Sequence, residues 1–140
     1  MHRFKHLILI VCLGLMLAGC GRKEPPQVTD ERQKPQVVNL NHVISGNSLK
    51  LDFKLAGGAD GIGFQIDRTE QDPGCKCPSF WRRHYELPPA ANRAGKPLVQ
   101  MFNLQTHKKA FYFRLRAVDG LGRLSPWSKP IFAQAEEFYE

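Results

Sequence analysis

The chain lacks a hydrophobic stretch long enough to cross a bilayer as a permanent span. Its longest apolar run, Leu7–Ala18, falls short of the ~18 residues a spanning helix needs. It is also short of acid, with 13 Asp and Glu against 20 Lys and Arg, a formal charge of +7. Four cysteines in 140 residues are too few for a disulfide-framework miniprotein. No segment carries a convincing helical period, and 10 prolines and 12 glycines argue against an all-helical chain. The G-x-S-x-G, H-E-x-x-H, P-loop and dinucleotide-binding motifs are all missing. His42, His84 and His107 stand isolated in sequence. The expectation is a protein that is not an enzyme, with no catalytic residue, no metal and no cofactor. What remains is a small, basic, β-leaning chain.

The first residues read as a targeting segment. A basic opening, Met1–His6, precedes the Leu7–Ala18 run, which suits the apolar region of a signal peptide. The run closes on Leu17-Ala18-Gly19-Cys20. This resembles the bacterial lipobox, in which small residues precede a cysteine. The resemblance implies that residues 1–19 are a lipoprotein signal peptide, cut before Cys20. It further implies diacylglycerol on the Cys20 sulfur and an acylated new amino terminus. Several acyl chains anchor stably where one is marginal. Gly21 follows the cysteine, whereas an aspartate there typically marks inner-membrane retention in enteric bacteria. The resemblance therefore implies a lipid anchor in the outer membrane and a domain in the periplasm. Loss of Arg3 and Lys5 with the peptide leaves a mature charge of +5.

Residues 20–36 contain one aliphatic residue of any size, Val28, and three prolines, Pro25, Pro26 and Pro35. Such a segment buries too little to offset its ordering entropy and reads as a flexible tether. At ~3.1 Å per residue it reaches up to roughly 50 Å. Its opening, Cys20-Gly21-Arg22-Lys23-Glu24-Pro25, is similar to the start of a small proteobacterial lipoprotein associated with the lipopolysaccharide translocon.

From Val37 onward the apolar period is two. Leu49, Leu51, Phe53 and Leu55 alternate with Lys50, Asp52 and Lys54. Ile62, Phe64 and Ile66 alternate with Gly63, Gln65 and Asp67. Phe111, Phe113, Leu115 and Ala117 alternate with Tyr112, Arg114 and Arg116. Each is a strand with one face in a core. Phe53, Phe64, Ile66, Phe113 and Leu115 are the expected inter-sheet core. Weaker strands are expected at Val37–Val43, Phe80–Tyr85 and Leu98–Phe102, and a last one at Trp127–Ala133. Seven short strands separated by turn signals predict an all-β, seven-stranded antiparallel β-sandwich over residues 37–134, with 135–140 as a tail.

The segment Phe111–Ser128 resembles the F and G strands of a fibronectin type III domain. Alternating aliphatics end in alanine, then comes the Asp119-Gly120-Leu121-Gly122 turn, then Ser125-Pro126-Trp127-Ser128. Gly63–Arg68 resembles strand C, and Leu49–Leu55 strand B with Phe53 in the place of the usual core tryptophan. Phe111 stands where the family has its corner tyrosine, with Leu104 near the usual preceding leucine. Some receptor domains of this fold carry an arginine–tryptophan ladder beside a Trp-Ser element. Arg114, Arg116 and Trp127 are the candidates for one here, either as a cover for the sheet face or as a contact surface.

Two further clusters stand out. Cys75-Lys76-Cys77-Pro78 is compatible with a local disulfide, with two free thiols, or with a redox or metal role. An oxidising compartment favours the bridge, and two sulfurs alone do not complete a zinc site. Between Lys76 and Arg116 lie nine basic residues against one acid, Glu86. Trp81 and Tyr85 alternate with Arg82 and His84, which predicts an apolar face turned inward and a basic face turned out. Trp81, Arg82, Arg83, His84, Arg114, Arg116 and Trp127 are therefore the candidate partner-binding residues. The field favours an envelope protein or an anionic lipid, and the expected compartment excludes nucleic acid. The expected function is a membrane-anchored, non-catalytic binding or structural module of the cell envelope. The alternative is an accessory factor for outer-membrane or lipopolysaccharide-translocon assembly, acting through its lipidated N-terminal segment.

Overall fold

A computed structural model describes residues 34–136. Cys20, the signal peptide and most of the tether lie outside the described residues.

The alternating segments form seven strands: β1 (Gln36–Ser45), β2 (Ser48–Ala56), β3 (Ile62–Glu70), β4 (Arg82–Ala90), β5 (Pro97–Asn103), β6 (Ala110–Asp119) and β7 (Ile131–Gln134). They pair antiparallel in two sheets, β1-β2-β5 and β4-β3-β6-β7. The fold is the all-β sandwich that the period-two pattern predicts. The two inner faces meet in one core of Leu49, Leu51, Phe53 and Leu55 from β2, Ile62, Phe64 and Ile66 from β3, and Phe111, Phe113, Leu115 and Ala117 from β6. All five residues expected in the inter-sheet core are buried. Phe53 meets Phe64 edge-on across the sheets at 5.0 Å, and Phe102 stacks on Phe113 at 5.5 Å. Such pairs add about 0.5–1.5 kcal/mol each beyond the area they bury.

The edges differ from the sequence expectation. Pro35 is fully buried, and Ala135 belongs to the core, so the sandwich takes in residues assigned to tether and tail. Glu136 N–H donates to Gly46 O at 2.9 Å, and its carboxylate accepts from Gly46 N–H at 3.1 Å. The last strand begins at Ile131, not Trp127, because Pro126 and Pro130 have no N–H for a continuous ladder.

The larger shift is in β4, expected at Phe80–Tyr85 and found at Arg82–Ala90. The strand runs through Pro88 and Pro89, which an edge strand accommodates. It approaches β3 so closely that a Cβ on Gly63 would sit 2.2 Å from the Leu87 carbonyl oxygen. Two register shifts bend it. In one, Tyr85 faces Ile66 and Arg83 faces Asp67, leaving His84 as the extra residue of a β-bulge. The bulge changes which side chains share a face. Tyr85 packs inward as predicted, 5.7 Å from Phe64. Trp81, predicted to face inward with it, is on the outer face instead.

Candidate functional site on the outer face of the four-stranded sheet

Alternation along β6 sends Phe113, Leu115 and Ala117 into the core and Arg114 and Arg116 outward. The chain returning from the β6–β7 turn lies beside β6 and is fixed by two serines. Ser125 N–H donates to Ala117 O at 3.0 Å, while Ala117 N–H donates to Ser125 Oγ at 2.9 Å. Ser128 N–H donates to Leu115 O at 2.8 Å, and Leu115 N–H to Ser128 Oγ at 3.0 Å. Trp127, held between these clamps, lies over the arginine row. The Arg114 guanidinium sits 4.2 Å from the Trp127 ring on one side and 4.3 Å from Trp81 on the other. Arg116 continues the stack at 4.2 Å from Trp127. The order is Trp81, Arg114, Trp127, Arg116, with the residue just before β4 supplying the first ring. Each contact contributes about 0.5–1 kcal/mol when exposed and up to about 2 when desolvated. Arg114 Nε, buried between the rings, has no hydrogen-bond partner among the described residues.

A polar circuit runs beneath the stack. Asp67, on β3 opposite Arg114, accepts from Arg114 Nη2 at 3.1 Å and from Arg83 Nε at 2.8 Å. Arg83 Nη1 reaches Glu86 at 2.8 Å, Gln65 Nε2 donates to Glu86 at 3.0 Å, and Arg116 Nε donates to Gln65 Oε1 at 2.8 Å. The circuit closes through Trp127. Charge-assisted bonds of this kind are the strong ones, and the planar guanidiniums serve both stacking and bonding. Burial lowers the Arg116 pKa, as do the neighbouring Arg83 and Arg114, against Asp67 and Glu86. It stays charged at neutral pH.

The seven residues expected to bind a partner therefore divide. Trp81, Arg83, Arg114, Arg116 and Trp127 build one outer face. Arg82 and His84 lie on the other side of β4, at the rim of the core. His84 packs at 5.0 Å against Phe102 and 5.8 Å against Phe113. Burial and then the nearby Arg68 lower its pKa. The sequence reading missed Asp67, Gln65 and Arg68, although alternation with Phe64 and Ile66 puts Gln65 and Asp67 on the arginine side. It also missed Ser125 and Ser128 as backbone clamps.

The acid-poor stretch is less basic in space than in sequence. Asp67 and Glu70, just outside it, neutralise Arg83, Arg114 and Lys109, the last at 3.1 Å. Arg93 is structural, its Nη1 donating to Ile62 O at 2.9 Å and to Pro88 O.

Cys75 and Cys77 are joined in a disulfide with Cα atoms 5.2 Å apart. The bridge sits in a tight hairpin between Gln71 and Pro78, where Asp72 N–H donates to Cys77 O at 2.9 Å. Lys76, at φ 58°, turns its carbonyl to the Tyr112 hydroxyl at 2.9 Å and to Gln71 Nε2 at 3.1 Å. The bridge thus pins a left-handed turn against β6, the local role open to so short a loop. Among the described residues no cluster of His, Cys, Asp and Glu is arranged to hold a metal.

Topology and packing define the fold: a two-sheet β-sandwich of fibronectin type III-like topology, with a stacked arginine–tryptophan outer face. A solved structure titled "Myokine structure" shares the fold, with a TM-score of 0.50 and 18% identity over 76% of this chain and 100% of that chain. No family model and no curated protein matches the chain.

Proposed function

We propose that the protein is a lipoprotein of the bacterial outer membrane, held by acyl chains on Cys20, whose sandwich is a non-catalytic binding or structural module on the periplasmic side. The observation that carries this reading is the Leu7–Ala18 apolar run closing on Leu17-Ala18-Gly19-Cys20. A Pro-containing segment separates that cysteine from β1, which begins at Gln36. This order (export signal, lipidation cysteine, spacer, sandwich) suits a module displayed from a membrane. The outer face supports the binding half. Its ionised groups are engaged in pairing and stacking, and it holds Trp and Arg, residue types enriched at contact hot spots, in fixed positions.

The test is chemical. Mass spectrometry of the protein from membranes should find acyl mass on an N-terminal Cys20. Cys20→Ser should leave unprocessed precursor or release protein to the soluble fraction. Absence of acyl mass on wild-type Cys20 refutes the reading.

A further inference from the structure

The two outlying members of the basic set, Arg82 and His84, meet a residue the outer face does not use. Arg68 of β3 is the cross-strand partner of Arg82 in β4. Like charges directly opposite in an antiparallel pair destabilise the sheet unless something offsets them. Among the described residues neither guanidinium has an ion pair or hydrogen bond, and Arg68 rests over the Phe111 ring at 4.9 Å. Both line a cleft of about 420 Å³ whose walls include Ser79, Phe80 and His84. Glu70, the one carboxylate among the cleft's lining residues, is paired with Lys109 at 3.1 Å. The other three arginines of this sheet, Arg83, Arg114 and Arg116, each have an acid or amide partner, and among the described residues this pair has none.

Two devices shape the cleft. The His84 bulge swings the imidazole to the same side of β4 as Arg82. The Cys75–Cys77 hairpin returns the chain at Ser79, whose N–H donates to Glu70 O at 3.1 Å, and so delivers Phe80 to the cleft wall. Phe80 is 88% exposed there, an apolar surface beside the two guanidiniums. The cleft lies at the end of the sandwich away from Gln36, because Glu70 pairs beside Phe111 while Gln36 pairs with Ala56 at the other end.

We propose that this cleft binds a phosphate group carried on an apolar or aromatic substituent. Two guanidinium forks match the roughly −1.5 to −2 charge of a phosphate monoester near neutral pH and its three acceptor oxygens. The imidazole adds a donor, and Phe80 covers the substituent. The assignment builds on the reading of the chain as an envelope binding module and names a ligand class for it.

The test uses the mature chain, purified in non-ionic detergent, and calorimetric titration with phenyl phosphate, inorganic phosphate and benzoate. Phenyl phosphate should bind more tightly than inorganic phosphate, and both more tightly than benzoate. Arg82→Gln, at an exposed residue with no partner among the described residues, relieves the repulsion from Arg68, so it should not lower the melting temperature, and it should weaken phenyl phosphate at least about tenfold. Phe80→Ser should weaken phenyl phosphate but not inorganic phosphate. Lys50→Gln with Lys54→Gln removes the same kind of charge from the other sheet and should change affinity less than about twofold. Competition by phosphatidic acid vesicles assigns the phosphate to a lipid headgroup, and its absence to a soluble phosphoester. Either supports the site. No binding of phenyl phosphate, benzoate bound as tightly, or equal losses in Arg82→Gln and the lysine pair overturns it. Such a failure with acyl mass present on Cys20 leaves the lipoprotein reading standing.

Discussion

Asp67 is the residue on which the outer face turns. Its side chain is 9% exposed and takes two charge-assisted bonds, from Arg83 at 2.8 Å and Arg114 at 3.1 Å. Arg114 is itself 25% exposed and enclosed between two indoles, so water cannot readily replace the carboxylate. Removing one partner of a buried pair costs about 3–5 kcal/mol, because the other charge is left uncompensated. Arg83, 36% exposed, keeps Glu86 at 2.8 Å, which softens the loss. Asp67→Ala should therefore destabilise by about 2–4 kcal/mol. In a domain of this size that is roughly 10–20 °C in melting temperature, read by circular dichroism. A double-mutant cycle separates the pair from its surroundings. Asp67→Ala combined with Arg114→Met should cost less than the sum of the single changes by about 1–3 kcal/mol. A melting temperature for Asp67→Ala within ~2 °C of wild type would mean that the circuit is ornamental and that the stacked rings alone hold the arginines.

Phe113 is wholly buried and stacks on Phe102, so Phe113→Ala should cost about 3–5 kcal/mol, and an unchanged denaturant midpoint would place the inter-sheet core elsewhere. Gly63→Ala adds a Cβ at 2.2 Å from Leu87 O, so β4 must move; we expect a loss of about 1–3 kcal/mol, and full retention of stability would contradict the close approach. Asp119 gives a pH signature. Burial alone would raise its pKa, but the Arg123 backbone N–H, the Arg123 guanidinium and the Ala59 N–H outweigh it and hold the carboxyl below its ordinary 3.8. A lowered folded pKa means that the stabilisation is fully present above the unfolded value and is lost as pH falls through the folded one. The melting-temperature gap between wild type and Asp119→Asn should therefore shrink as pH drops from about 6 to about 3, and a constant gap would refute the role of the charge.

The fold was legible because its information is local. Alternation over Leu49–Leu55, Ile62–Ile66 and Phe111–Ala117 fixes which side of each strand is apolar, and three such strands determine two facing sheets. The positive-φ glycines Gly57, Gly58 and Gly61 mark the β2–β3 connection that a Gly-rich stretch predicts. The terminal boundaries were less legible. Pro35, Ala135 and Glu136 gain their positions from long-range contacts, Glu136 with Gly46, and no local pattern encodes such a contact.

The candidate site was half legible, for a reason specific to β4. Arg114, Arg116 and Trp127 were found together because β6 keeps strict alternation and its partner segment follows at once. Trp81 was placed on the wrong face because alternation was carried through His84, where the ladder has one residue too many. A single inserted residue reverses every inference upstream of it. The same bulge explains the division of the basic cluster. With unbroken alternation, Trp81, Arg83 and Tyr85 would share a face, and Arg83 would turn toward the core beside Tyr85, which packs against Phe64. With the bulge, Trp81 and Arg83 join Asp67 and Arg114 outside, while Arg82 and His84 are left together at the rim beside Arg68. One local irregularity thus completes the ladder on one side of the edge strand and brings Arg82 and His84 together on the other.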